Sequence, residues 1–221
     1  MPTNKMFPLK IKLIAMGGIL VFATLASANH WVHASRHTGG TRQGDVKLFE
    51  KGDDFNPPVK ITLVKSKIGV IATDKKIDTD DDWLKGLTIR VRNDSGKVVT
   101  HVSVELRFRR PQNQATERDL VVPLSYGSDP FDSRALSPSS PPAFVLPGQT
   151  IDVSVSDTKY ESIRSMLNDL NYPPSIKAVR ARIRAIGFED GTAWASGTIF
   201  ERDPNNPGEW LPQKKAKPRR S

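Results

Sequence analysis

Apolar and polar residues alternate along much of this chain, and the alternation changes period once. Val59, Ile61 and Leu63 alternate with Lys60 and Thr62, the period-two pattern of a half-buried strand. Residues 68–72 continue that strand or form a second short one. Leu87, Ile89 and Val91 alternate with Thr88, Arg90 and Arg92, and Asn93-Asp94-Ser95-Gly96 then bends the chain. The return segment sets Val102, Val104, Leu106 and Phe108 against Ser103, Glu105, Arg107 and Arg109. These two runs predict an antiparallel hairpin with one apolar and one charged face. Residues 120–124 predict a short strand at a sheet edge, because Pro123 has no N–H to donate. A Pro147-Gly148 turn precedes Ile151, Val153 and Val155 in strict alternation.

The period then becomes helical. Tyr160, Ile163, Met166, Leu167 and Leu170 fall on one helix face, Ser156 or Asp157 can cap its start, and Asn171-Tyr172-Pro173-Pro174 ends it. Residues 176–186 return to a strand, with Val179, Ala181, Ile183 and Ala185 expected to face inward. Glu189-Asp190-Gly191 turns into a last strand over 192–201. Short strands separated by turns, with one helical insertion, predict an all-β, immunoglobulin-like antiparallel sandwich. The alternative is an α+β domain with the helix across an antiparallel sheet.

The stretch 87–201 resembles an exported bacterial immunoglobulin-like domain of the broad FxLYD kind. The resemblance is carried by Val91-Arg92-Asn93-Asp94-Ser95-Gly96, by the alternating return strand, and by Leu146-Pro147-Gly148-Gln149-Thr150 before Ile151, Val153 and Val155. It covers about half of the chain's 221 residues. The return strand ends Leu106-Arg107-Phe108-Arg109-Arg110, without the aromatic-Leu-Tyr-Asp signature of that family. The resemblance implies a sandwich and carries no activity, since that fold hosts many functions.

Residues 13–28 form an uninterrupted run free of charge behind Lys5, Lys10 and Lys12, closing on Ala26-Ser27-Ala28. A basic leader, a short apolar stretch and small residues at the end are the marks of a secretory signal peptide. The run falls short of the roughly 20 apolar residues that span a bilayer comfortably. Cleavage after Ala28 is therefore expected, and a retained anchor, extended by Trp31, Val32 and Ala34, is the alternative. Either reading places the rest outside the cytoplasm, in the periplasm or secreted. Residues 1–28 are thus leader or membrane tether, 29–56 a linker, 57–212 the sandwich and 213–221 a basic tail.

With no cysteine, the exported domain has no disulfide framework and no thiolate metal site. The net charge of +9 is unevenly placed: three lysines sit in the leader and five cations in the tail, leaving about one for the remainder. The tail, Lys214, Lys215, Lys217, Arg219 and Arg220, is either a solubilising end or a contact for an anionic surface. Specific nucleic-acid binding is not expected.

Asp78, Asp80 and Asp82 have the one-three-five spacing of a calcium loop, and calcium is the one cofactor they suggest. Trp83 occupies the position where that loop needs glycine, and Ile89 the position of the closing carboxylate, so a solvated acidic loop is the competing reading. His30, His33 and His37 have the spacing of a metal-binding helix face but lie in the linker. No Gly-x-Ser-x-Gly elbow or phosphate loop occurs, and His101 is the one imidazole within the domain. A non-enzymatic module is the reading of choice; a carbohydrate-active or metal-assisted hydrolase built from distant carboxylates is the alternative. Trp194 and Trp210 are expected to fill the core and pin the C-terminal segment, against a sugar-stacking platform as the other reading.

The most suggestive constellation is cationic. Arg180, Arg182 and Arg184 alternate with core positions, so they project from one face of one strand. Arg90, Arg92, Arg107 and Arg109 take outward positions on the hairpin. If these strands share a sheet, seven guanidinium groups line one side and suit phosphate or carboxylate. The competing reading is an ordinary solvated face balanced by Glu105 and neighbouring acids. The partner would be a protein or an anionic envelope polymer.

Overall fold

The computed structural model describes residues 45–52, 55–110, 119–132 and 144–213. They fold into two β-sheets packed face to face, with one α-helix closing an end. One sheet holds β2 (Val59–Ser66), β3 (Gly69–Val70), β5 (Thr88–Asn93) and β8 (Thr150–Ser154), in the order β3-β2-β5-β8. The other is built around the long β9 (Ala178–Phe188), which pairs antiparallel with β6 (Val99–Phe108) along nearly its whole length. Beyond β6 lies β7 (Leu120–Tyr126), which pairs with β6 alone; Pro123 thus sits on an edge strand, as expected from its missing N–H. On its other side β9 pairs parallel with β1 (Asp45–Gly52) and then antiparallel with β10 (Ala193–Ala195). Next to β1 runs β4 (Lys76–Thr79), and next to β10 come β11 (Thr198–Arg202) and β12 (Trp210–Pro212).

In chain order, β2, β5 and β8 take the places of strands A, B and E of an immunoglobulin sandwich, and β6, β9 and β10 those of C, F and G. The all-β sandwich with one short helix is therefore the fold. Its core includes inward positions that alternation marks: Ile61, Ile89, Val91 and Val153 from one sheet, and Val104, Leu106, Val179 and Ile183 from the other, with Trp194 beside them. The helix α1 (Asp157–Asp169) starts where Ser156 Oγ accepts from the Lys159 amide, and buries Tyr160, Ile163 and Leu167 against the sandwich end. Asn171 ends it in the left-handed region at φ 56°, a conformation Asn tolerates at a helix C-terminus.

Two expectations differ from the structure. The segments β5 and β6 do not pair with each other: β5 lies between β2 and β8, whereas β6 lies between β7 and β9. Both runs have the predicted apolar face, but those faces meet across the core. The bend is fixed by Asn93, buried, whose amide donates to the Lys97 and Val145 carbonyls and whose Oδ1 accepts from the Ser95 amide. It is thus an arch between sheets. The other difference is that residues 45–52, placed in the linker, form β1 inside the sandwich. There Lys47 is fully buried, bonded to Asp81 at 2.7 Å and to Ser175 Oγ, while the adjacent Val46 is exposed. Inverted polarity of this kind hides a strand from any hydrophobic pattern.

Candidate functional site

The arginine positions fall in two groups, one on each sheet. Arg90 and Arg92 stand on the outer face of the β2-β5-β8 sheet, and each has an acid at hand. Arg90 makes a bidentate pair with Asp152 at 2.8 and 3.0 Å, and Arg92 pairs with Asp94, which also receives Lys60 at 3.2 Å. These partners hold the Asp152 and Asp94 carboxyls below their usual range. On that face Lys60 and Arg92 share Asp94, and Lys65 and Arg90 share Asp152.

The other group is on β6 and β9, which are neighbours. Cross-strand register sets Glu105 opposite Arg182 and Arg107 opposite Arg180. A register shift pairs Val104 with Ile183 but Ser103 with Ala185, so Arg184 has no cross-strand partner and is exposed, while Ala185 is buried at 5%. Glu105, only 4% exposed, accepts from Arg107 Nη2 at 3.1 Å and from Arg182 Nε and Nη2 at 3.1 and 3.3 Å. Arg109, just past β6, donates to Glu50 Oε2 at 2.7 Å. The parallel pairing of β1 with β9 brings Glu50 beside Arg180 and Gly52 beside Arg182. A Cβ on Gly52 would come within 2.9 Å of Arg180 Nε, so glycine there leaves room for that guanidinium to lie across β1.

The outcome is a strip of five arginines, 107, 109, 180, 182 and 184, on one outer face, with Glu50 and Glu105 among them. Arg107 and Arg180 are like charges directly opposed, an arrangement that disfavours folding unless anions relieve it. The Nε of Arg107 is buried and has no hydrogen-bond partner. Beside the strip, Leu48, Glu50, Lys51, Asp74, Arg109 and Arg180 line an open polar basin of about 400 Å³. Forked guanidinium donors around such a basin match the oxygens of phosphate or carboxylate groups.

Asp78, Asp80 and Asp82 do not converge. Asp78 lies in β4 opposite Val46; Asp80 accepts from the Asp82 amide at 3.0 Å and pairs with Lys67 at 3.2 Å; Asp82 accepts from the Tyr160 hydroxyl at 3.1 Å. Burial, with Asp82 alongside, pushes the Tyr160 hydroxyl up to about 12. The loop is pinned by Trp83, wholly buried, whose indole donates to the Ile176 carbonyl at 2.8 Å. Among the described residues no group of three or more His, Asp or Glu side chains is placed to hold a metal ion. The residues 1–28, the histidines 30, 33 and 37, and the tail cations lie outside the described residues.

The other singled-out side chains have structural surroundings. Trp194 is in the core, and Trp210 packs 5.0 Å from Phe131 while its indole donates to the Pro130 carbonyl at 3.2 Å. The two tryptophans form no shared platform. His101 is completely buried under the loop 127–132, its Nδ1–H directed to the Gly127 carbonyl at 3.3 Å. Its Nε2 has no hydrogen-bond partner and lies 4.0 Å from Asp129. Burial pushes the imidazole below its ordinary pKa, so it is neutral at pH 7.

Sequence reasoning missed Glu50, Lys51 and Asp74, which complete the basin. A signal for Glu50 existed in its alternation with Phe49, but the buried Lys47 masked the strand. No family model matches the chain, and no curated protein or solved structure does either.

Proposed function

We propose that this protein is an exported, non-enzymatic module of the cell envelope whose strip of five arginines engages an anionic envelope polymer. The observation that carries the reading is the strip of five arginines on the outer face of β6 and β9, with Arg107 directly opposite Arg180 and with Glu50 and Glu105 as the acids among them. An anion laid along β6 and β9 relieves that repulsion. Arg90 and Arg92, on the other sheet, pair with separate aspartates, whereas Arg107 and Arg182 share the one carboxylate of Glu105. Export rests on the basic leader and on the apolar run closing at Ala26-Ser27-Ala28.

The test separates the strip from the tail. A chain ending at Pro212 loses five tail cations and keeps the strip. Arg109, Arg180 and Arg184 can be changed together to Gln without touching the buried Glu105 pairs. Binding to a soluble polyphosphate chain is measured against salt, since each guanidinium contact displaces counterions. The shortened chain should retain salt-dependent binding, and the triple variant should lose most of it. Loss on shortening alone, or undiminished binding by the triple variant, overturns the reading. Export is checked by the mass of the protein from its host, expected to start at Asn29.

A further inference from the structure

A second concavity lies where β6 ends and β9 begins, under the last turn of α1. It encloses about 360 Å³, within the roughly 300–1,000 Å³ of small-molecule sites. Its floor is apolar: Phe108, Leu167, Ile176 and the ring of Tyr172. The polar groups near that floor are already engaged. The Tyr172 hydroxyl donates to the Phe108 carbonyl at 3.0 Å and accepts from the Leu120 amide at 2.8 Å. Ser175 Oγ donates to Asp45 at 3.0 Å and accepts from Lys47. A molecule inside therefore meets hydrocarbon and little else.

The rim has the opposite character. Arg109, already paired with Glu50, lines it with Arg110 and Lys177, and no carboxylate does among the described residues. The Arg110 guanidinium stands 5.5 Å over the Tyr172 ring, which keeps its positive charge at the mouth. Lys177 is largely exposed and its acidic neighbour Asp45 is 4.0 Å away, too far for a hydrogen bond. Three cations around an apolar hollow discriminate for a ligand with one anionic end and a hydrocarbon body. At roughly 30 Å³ for each water-sized group, the hollow takes about a dozen such groups.

We propose that this cleft binds a medium-chain aliphatic carboxylate, with its chain against Phe108, Leu167 and Ile176 and its carboxylate held at the rim by Arg110 and Lys177. The site is separate from the outer arginine strip, with only Arg109 common to both.

Titration calorimetry of the full chain with sodium decanoate, below its micelle concentration, tests it. Amide and methyl NMR shifts of Leu120, Leu167 and Ile176 report the place of binding. Saturable one-to-one binding is expected, with those signals shifting. Decanol should bind at least tenfold more weakly, and decyltrimethylammonium should give no saturable heat. Ala178→Phe, which fills the hollow, should weaken decanoate binding at least tenfold. Lys177→Glu, an exposed rim change that leaves the packing intact, should weaken it about fivefold or more. Arg184→Gln, on the outer strip, should bind decanoate like the parent chain, so loss of polymer binding and loss of decanoate binding are told apart. The proposal is overturned if decanoate does not bind, as when a segment of the chain itself fills the hollow. It is equally overturned if decanol matches decanoate, if the shifts lie elsewhere, or if Lys177→Glu has no effect.

Discussion

Glu105 offers the sharpest test of the sheet arrangement. Alternation along the return strand puts it outward, and an outward glutamate is expected to be solvated and replaceable by lysine at little cost. The structure differs, because β9 brings Arg182 opposite it and β6 brings Arg107 two residues along. The carboxylate is nearly out of solvent and accepts three hydrogen bonds from two guanidinium groups. Such charge-assisted bonds contribute about 1.5–3 kcal/mol each when fully buried. The arginine side chains are 37% and 27% exposed, so solvent replaces part of what is lost. Glu105→Gln should then cost about 1–2 kcal/mol. Glu105→Lys adds a cation between two others in a nearly dry position and should cost about 3–5 kcal/mol. In a domain of this size a kcal/mol moves the melting temperature by about 2–4 °C. Thermal melting by circular dichroism should thus show a drop of about 3–6 °C for the glutamine variant and about 10 °C for the lysine variant. A double-mutant cycle with Arg182→Gln should give a coupling of about 0.5–3 kcal/mol. Melting of the lysine variant within about 1 °C of the parent would refute the buried network and the β6–β9 register with it.

Two further perturbations follow from burial. Val104→Asp places an unpaired carboxylate at a wholly buried position between the sheets, and urea unfolding should show a loss of several kcal/mol out of a total of about 5–15. His101 sets a pH dependence: burial lowers its folded pKa beneath the ordinary 6.5, so the unfolded chain takes up the proton first. Its contribution is complete above pH 6.5 and declines as pH falls towards the lowered value, and His101→Gln should flatten that slope in melting measured against pH. The paired carboxyls of Asp81, Asp94 and Asp152, also lowered, give up their contributions only as pH falls below about 3.8, which keeps the two windows apart.

Where the chain was legible, one face of each strand was polar and the other apolar. That held for β5, β6 and β8, for the helix with its Ser156 cap, and for the edge position of Pro123. It failed where long-range contact overrode local pattern. In β1 the inward position is Lys47, whose charge is met by Asp81 from a loop far along the chain, so no local window signals a strand. Pairing was illegible for a related reason: the turn at Asn93-Asp94-Ser95-Gly96 bends a hairpin and an inter-sheet arch equally well. What decides between them is which strands arrive later, and β8 and β9 flank β5 and β6 respectively. The role of Glu105 was hidden likewise, since its partner Arg182 is contributed from across the sheet.

The division of the arginines between two sheets has a physical consequence that total charge conceals. Between leader and tail the chain is close to neutral, which on its own argues for arginines balanced by their neighbours. On one face Arg92 and Arg90 each have an aspartate, Asp94 and Asp152, which Lys60 and Lys65 also approach. On the opposite face five arginines stand with Glu50 and Glu105, and Asp74 lies in the adjoining basin. Asp80 and Asp82 are engaged with Lys67, and Asp81 with the buried Lys47. Neutrality is thus an average over an uneven arrangement, with arginines gathered along β6 and β9. An average of zero leaves the chain no net pull on distant anions, but a partner that docks on β6 and β9 meets an excess of positive charge at short range. Such a face favours recognition by contact, with forked hydrogen bonds, over long-range steering, and its binding should weaken with salt less steeply than that of the flexible basic tail.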